Sequence, residues 1–145
     1  MDENNEMLSY IHKNSEMGVY SCTKLINDIN GKENKIKKVV EGILKGYENY
    51  LKKCEKYVKK YNADIKNSTV WAKMSTSMGI SMEVLKDNSD AAISKLLTQG
   101  LTMGIVDITA KIDRFKGDAD RKILNLAKEY MKWQQEAINY LKPYL

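Results

Sequence analysis

Proline, histidine and cysteine are all scarce in this chain of 145 residues. Pro143 is the only proline, so no proline interrupts a helix or strand before it. His12 is the only histidine, which excludes a site built from two imidazole groups. Around His12 no serine or cysteine stands with an orienting acid in a convincing nucleophilic arrangement, and the chain has no glycine-rich phosphate-binding loop. The usual sequence signs of catalysis are therefore missing.

The two cysteines, Cys22 and Cys54, lie on either side of a turn predicted at Gly31. Cys22 is nine residues before Gly31, and Cys54 is twenty-three residues after it. At ~1.5 Å of rise per residue, paired helices would hold the two thiols roughly 20 Å apart, too far for a disulfide. We expect two buried free thiols without a chemical role.

The chain also lacks long hydrophobic runs, and none approaches the ~18 residues of a membrane span. Hydrophobic residues make up 43% and charged residues 30%, which is ordinary for a globular protein of one domain, here 1–145. Residues 1–6 are acidic and polar, unlike a signal peptide. These features predict a cytoplasmic protein that does not bind a membrane.

Long stretches free of breakers, without sustained alternation of period two, predict an all-α fold. We expect Gly31 and Gly117 to be left-handed residues after helix ends, and Ser68, Ser89 and Asp118 to be N-caps. The third predicted helix carries a methionine stripe, which we interpret as core packing rather than a cofactor site. The five predicted helices span 3–30, 33–62, 68–87, 89–116 and 118–142.

The first and fourth predicted helices carry the same apolar pattern when they are offset by 86 positions. The exception is Lys111, which falls opposite Leu25. Such a match predicts two helices in equivalent positions of one bundle. The matched positions are Ile11 and Leu97, Gly18 and Gly104, Cys22 and Ile108, and Ile29 and Phe115.

A glycine lies at the centre of each of these two stripes, at Gly18 and Gly104. Each glycine costs up to ~1 kcal/mol of helix propensity relative to alanine. We expect the cost to be offset because the missing side chain lets another helix, or a bulky tyrosine, come close at mid-bundle. Gly42 and Gly46 lie one turn apart, as do Gly100 and Gly104, and these pairs predict further packing notches.

The second predicted helix combines a tyrosine seam with most of the lysine excess. Residues 32–60 hold ten lysines and four glutamates, against a net charge of +5 for the whole chain. Three glutamates are each followed by a lysine four residues later, which is a favourable pairing on a helix surface. The seam tyrosines, whose hydroxyls need partners inside the bundle, are Tyr47, Tyr50, Tyr57 and Tyr61.

The fifth predicted helix is apolar over an unusually wide arc. A helix of this kind either lies deep in a bundle or also covers a partner subunit. We therefore predict a homodimer through this C-terminal helix. The residues of the arc are Ile123, Leu124, Leu126, Tyr130, Met131, Trp133, Ala137, Ile138 and Tyr140.

Two long helices, a short linking helix and two more long helices resemble the ferritin-like four-helix bundle. The likeness is closest to small bacterial ferritin-like domain proteins of uncharacterised function, and it implies an antiparallel bundle with a short additional linking helix. The segments that carry it are Asn14-Ser15-Glu16-Met17-Gly18, 71–74, 78–85, 90–93, 99–104 and 118–142.

Ferritin-like di-metal enzymes take one glutamate from each of two helices and a Glu-x-x-His from each of the other two. The single histidine of this chain cannot supply that set, and the weak candidates that remain are His12, Glu16, Glu48 and Glu136. For His12 and Glu16 we favour a partly buried histidine hydrogen-bonded to a neighbour, because two side chains leave a metal short of ligands. We expect no metal and no cofactor.

The sequence thus predicts a non-catalytic ferritin-like bundle that serves as an interaction or structural module. One alternative is a degenerate di-metal or oxygen-handling protein, which the tyrosine seam alone favours. A second alternative is polyanion binding through the lysine-rich second helix. We rank it last and do not expect nucleic acid as a partner, because no exposed aromatic residues alternate with the lysines in a stacking pattern.

Overall fold

The computed structural model describes residues 2–65 and 87–145, and these residues form an all-α bundle of four long helices. They correspond to the first, second, fourth and fifth helices predicted from the sequence. The predicted third helix, 68–87, and its methionine stripe lie outside the described residues except for Asp87. The helices are α1 (Glu3–Asp28), α2 (Lys37–Lys60), α3 (Asp90–Phe115) and α4 (Arg121–Leu141), followed by a 3-10 turn at Lys142–Tyr144.

Short polar side chains cap three of the helices. Asp2 accepts from the Asn5 amide at 2.7 Å, and Ser89 accepts from the Ala92 amide at 3.2 Å, as predicted for Ser89. The cap of α4 is Asp120 and not the predicted Asp118, because the turn after α3 continues two residues further.

Of the two glycines predicted to be left-handed, only one adopts that conformation. Gly31 has φ of +79°, whereas Gly117 is not among the positive-φ glycines of the described residues. The loop that follows Gly31 delays the start of α2 to Lys37, because Asp90 accepts from the backbone amide of Lys35 at 3.1 Å and from the Asn34 side chain at 2.9 Å.

The helices pack as two pairs, α1 with α2 and α3 with α4. Near the start of α1, the Leu8 carbonyl accepts from the thiol of Cys54 near the end of α2 at 3.3 Å. Near the start of α3, the Ser94 hydroxyl donates at 2.6 Å to the carbonyl of Leu141, where α4 ends. Smaller contacts of α1 and α2 with α4, and of α1 with α3, join the two pairs around one core.

The structure confirms that α1 and α3 carry matching stripes. Both members of each matched pair named above are buried, including Gly18 and Gly104. The exception, Lys111, extends to Glu6, with 3.6 Å between its Nζ and the Glu6 Oε1, and lies over the Tyr10 ring. A charged side chain is therefore accommodated at the edge of the stripe.

The glycines at mid-bundle receive large side chains, as predicted. A Cβ atom at Gly18 would overlap the Tyr47 ring, and one at Gly46 would overlap the Trp133 indole. At Gly104 a Cβ would lie 2.6 Å from the Gln134 amide nitrogen. Each glycine therefore allows a side chain from a neighbouring helix to pack against the helix backbone.

The prediction of further packing notches was wrong for Gly42 and Gly100, the remaining glycines of the two pairs. A Cβ at Gly42 or Gly100 would meet nothing within 4 Å, because both residues face outward. Spacing by one helical turn placed the two members of a pair on nearby faces of a helix. This spacing did not place both glycines of a pair against a neighbouring helix.

Both cysteines are free and buried, as expected. Burial raises the pKa of each thiol to about 12, so both stay protonated and unreactive at neutral pH. Among the described residues, no helix is long and apolar enough to cross a membrane.

Alanine at Gly18 and at Gly42 should change stability in opposite directions. Gly18→Ala should destabilise the protein by about 1 to 3 kcal/mol, because the new methyl group would overlap the Tyr47 ring. That ring also packs against Trp133 and has little room to move. Gly42→Ala, in open space on the next helix, should stabilise it by up to about 1 kcal/mol through helix propensity. Urea unfolding of both variants measures the difference, and a neutral Gly18→Ala would contradict the packing described here.

Candidate functional site

Four aromatic rings fill the space between α2 and α4 at mid-bundle. The Tyr47 ring meets the Trp133 indole edge-to-face, with 4.8 Å between centroids, and the Tyr50 and Tyr130 centroids lie 5.2 Å apart. Tyr47 and Tyr130 are buried, at 6% and 0% exposure. Of the tyrosine seam predicted on the second helix, Tyr47 and Tyr50 therefore pack against aromatic side chains of α4, whereas Tyr57 and Tyr61 lie next to each other, with 6.2 Å between their centroids.

Hydrogen bonds inside the bundle join α1 and α4 beside these rings. The Tyr130 hydroxyl donates to the Asn14 side-chain oxygen at 2.5 Å, and the Gln134 amide donates to the same oxygen at 3.1 Å. The Tyr10 hydroxyl donates to the Gly104 carbonyl at 3.2 Å and so links α1 to α3. Three helices are thus tied together by polar groups at the level of the glycines.

These tyrosines are suited to hydrogen bonding and not to proton transfer at neutral pH. Burial raises the pKa of Tyr47, Tyr130 and Tyr10 well above the ordinary value for a phenol. Each hydroxyl therefore stays protonated and available as a donor. The arrangement positions helices relative to one another.

Sequence reasoning missed Asn14 and Gln134 as functional polar residues of the interior. Asn14 is one turn before Gly18, and Gln134 is one turn after Tyr130. Gln134 is completely buried. The signal available in the sequence was a side-chain amide one helical turn away from a residue of the apolar face. Such an amide indicates a hydrogen-bond partner at the same level on another helix.

The structure brings together two of the four weak metal-ligand candidates. The His12 Nδ1 lies 3.3 Å from the Glu16 Oε1, and both residues are buried, at 6% and 8% exposure. The second carboxylate oxygen of Glu16 is buried and has no hydrogen-bond partner among the described residues. Burial raises the pKa of Glu16, the nearby His12 opposes that shift, and Glu55 adds to it.

The other two candidates, Glu48 and Glu136, are exposed and belong to different helices. Residues 2–65 and 87–145 contain no group of three or more histidine, cysteine, aspartate or glutamate side chains placed to hold one metal ion. His12 and Glu16 by themselves offer two ligands, fewer than a structural or catalytic metal site requires.

A mainly apolar stripe lies on the outward face of α3, and one of its members, Leu96, also packs against the edge of the core. Two of its members, Met103 and Val106, are 67% and 62% exposed. Successive members are separated by four, three, four, three and four residues, which is the spacing of a coiled-coil seam. The stripe consists of Ala92, Leu96, Gln99, Met103, Val106 and Ala110.

The apolar arc of α4, in contrast, is largely used inside the chain. Its buried members include Ile123, Leu126 and Ala137, and Trp133 packs against the core. Tyr140 is the exception, at 68% exposure. The wide arc that suggested a dimer through the C-terminal helix is therefore explained by packing within one chain.

Comparison with known proteins identifies no relative. No protein-family model matches the chain, and no curated protein or solved structure matches it either.

Replacing Glu16 with glutamine should change how stability depends on pH. Because the folded state holds the Glu16 proton to a higher pH than the unfolded state does, wild-type stability should fall as pH rises from about 4.5 through the raised pKa. Glu16→Gln cannot ionise, so its melting temperature should match the wild type at low pH, exceed it increasingly as pH rises from about 4.5 through the raised pKa, and keep a constant lead above that pKa.

The exposed Glu48 provides the matched control for this comparison. Glu48→Gln should follow the wild type across the same pH series of thermal melts. If Glu16→Gln also keeps a constant offset from the wild type at every pH, Glu16 does not titrate as its burial requires.

Proposed function

We propose that this chain is a non-catalytic, ferritin-like antiparallel four-helix bundle that serves as an interaction module and works as a homodimer. The proposal is carried by the outward stripe of α3, where Met103 and Val106 are more than 60% exposed. The bundle arrangement is supported by the equivalence of α1 and α3 and by the direction of contacts within each helix pair. The dimer contact is assigned to α3, since α4 uses its apolar arc internally.

The α3 stripe is complementary to itself, as a two-fold contact requires. If two copies of α3 run antiparallel and cross at the level of Leu101, each residue of the stripe in one copy lies opposite a residue of the stripe in the other. Leu96 then lies opposite the partner's Val106, and Gln99 opposite the partner's Met103. Gly100, which has open space at its Cβ position, lies close to the crossing point and allows the two backbones to approach.

Charge also favours α3 as the contact between copies. The helix carries three aspartates and three basic residues, so its net charge is zero. In contrast, α2 carries eight lysines and three glutamates, and two copies meeting there would repel each other. For a chain with a net charge of +5, the neutral face has the lowest electrostatic cost of self-association.

The length of α3 limits the strength of this dimer. Its 26 residues span about 39 Å, and a single pair of such helices buries less than the ~1,600 Å² of a standard stable interface. We expect a dissociation constant in the micromolar range. The dimer should therefore be visible at high protein concentration and dissociate on dilution.

The alternative of a degenerate di-metal protein using His12, Glu16, Glu48 and Glu136 has weaker support. Besides the tyrosine seam, the His12–Glu16 contact is the structural observation in its favour, and its buried carboxylate already faces the imidazole. The polyanion alternative has a more specific observation behind it, which is taken up below.

A charge in the α3 stripe should dissociate the dimer. Met103→Glu should shift the weight-average mass in sedimentation equilibrium from dimer toward monomer, because two glutamates would be buried near the two-fold axis. The matched control is Tyr140→Glu, at an equally exposed position on α4. This control should leave the dimer intact.

Two results would contradict the proposal. A wild-type protein that stays monomeric at high micromolar concentration would exclude the dimer. Dissociation by Tyr140→Glu but not by Met103→Glu would move the contact to the C-terminal helix, where the sequence first placed it.

A further inference from the structure

A groove of about 570 Å³ runs between the second half of α2 and the first half of α4. From α2 it receives a lysine-rich face, and from α4 it receives the residues just after the helix start. The residues that line it are Lys53, Lys56, Tyr57, Lys60, Lys122, Asn125, Leu126 and Glu129.

The lysines converge because of helical spacing. Lys53, Lys56 and Lys60 are three and four residues apart, so they lie on one face of α2. Lys122 stands in the first turn of α4 and faces them across the groove. The positive end of the α4 dipole lies at the same place and adds to the potential.

Nearby acids compensate only part of this charge. Glu129 lies 3.7 Å from the Lys53 Nζ at one end of the groove. Asp120 lies close to Lys60 and Lys122 at the other end, but its carboxylate caps α4 by accepting from the Lys122 amide at 2.8 Å. Four ammonium groups thus face two carboxylates.

The contact between Lys60 and Lys122 is a second sign of uncompensated charge. The close approach of the Lys122 side chain and the repulsion of its charge lower the pKa of Lys60. Two like charges that lie close together repel each other, and an anion placed between them would relieve that repulsion. The structure therefore holds two cations where a ligand could bridge them.

We propose that this groove binds a small ligand that carries two or more phosphate groups. Lysine ammonium groups and a helix start are the groups that proteins use to bind phosphate. The volume lies within the range of small-molecule sites. Tyr57 and Leu126 give the groove an apolar wall against which an organic part of the ligand can pack, and Asn125 adds a hydrogen-bonding amide.

The dimensions favour a small molecule over a nucleic-acid strand. Lys53 and Lys60 are seven residues apart, which corresponds to about 10 Å along α2. Glu129 closes one end of the cationic row. The site is therefore much shorter than the lysine-rich face of α2 that the sequence suggested for polyanions.

The test is isothermal titration of the protein with inorganic pyrophosphate at low ionic strength. Lys60→Gln and Lys122→Gln should each weaken binding by about tenfold or more, because each removes an ammonium group from the phosphate site. The matched control is Lys59→Gln, which removes the same charge from the neighbouring exposed position outside the groove. It should change the affinity by no more than about twofold.

The replaced lysines are exposed, so the variants are expected to fold, and far-UV circular dichroism checks that they do. The proposal is overturned if the wild type releases no binding heat with pyrophosphate. It is also overturned if Lys59→Gln weakens binding as much as Lys60→Gln, which would indicate diffuse charge attraction. Tighter binding of a single-stranded oligonucleotide, with equal losses in all three variants, would assign the helix to polyanion binding instead.

Discussion

The contact between glycine backbone and large side chains at the middle of the bundle is the constraint on which the other features depend. Because Gly18 has no side chain, the Tyr47 ring can pack directly on α1, and Gly46 gives the Trp133 indole the same access to α2. The Trp133 indole stacks on Tyr130, whose hydroxyl donates to Asn14 on α1, and the Tyr47 ring meets Tyr130 edge-on. The glycines therefore determine how closely the helices approach, which rings fill the interior and which hydrogen bonds cross it.

An interior filled in this way places the chemistry of the molecule on its surfaces. The outward stripe of α3 is mainly apolar and the helix carries no net charge, whereas the groove between α2 and α4 is strongly basic. Association between copies and attraction of anions are best served by separate surfaces, since self-association across a basic face would bring like charges together. The two proposed activities therefore use different helices and do not compete.

The sequence predicted the four described long helices and the mid-bundle glycines because both follow from local spacing. The offset of 86 positions between α1 and α3 identified Gly18 and Gly104 before any partner was known. The partners of Gly104 could not be found in the same way, because Gln134 and Asn14 come from two other helices and their meeting depends on tertiary packing. The groove was missed for the same reason. The lysine excess of α2 was evident, but Lys122 joins it only when α4 lies alongside.

A double-mutant cycle between Gly18 and Tyr47 tests the central claim most directly. Gly18→Ala is measured by urea unfolding in the wild type and in Tyr47→Leu, whose smaller side chain leaves room for the new methyl group. If the tyrosine ring occupies the space that glycine leaves, the cost of Gly18→Ala should disappear in the Tyr47→Leu background, with a coupling energy of about 1 kcal/mol or more. An equal cost in both backgrounds would show that the two residues act independently, and the account would be wrong.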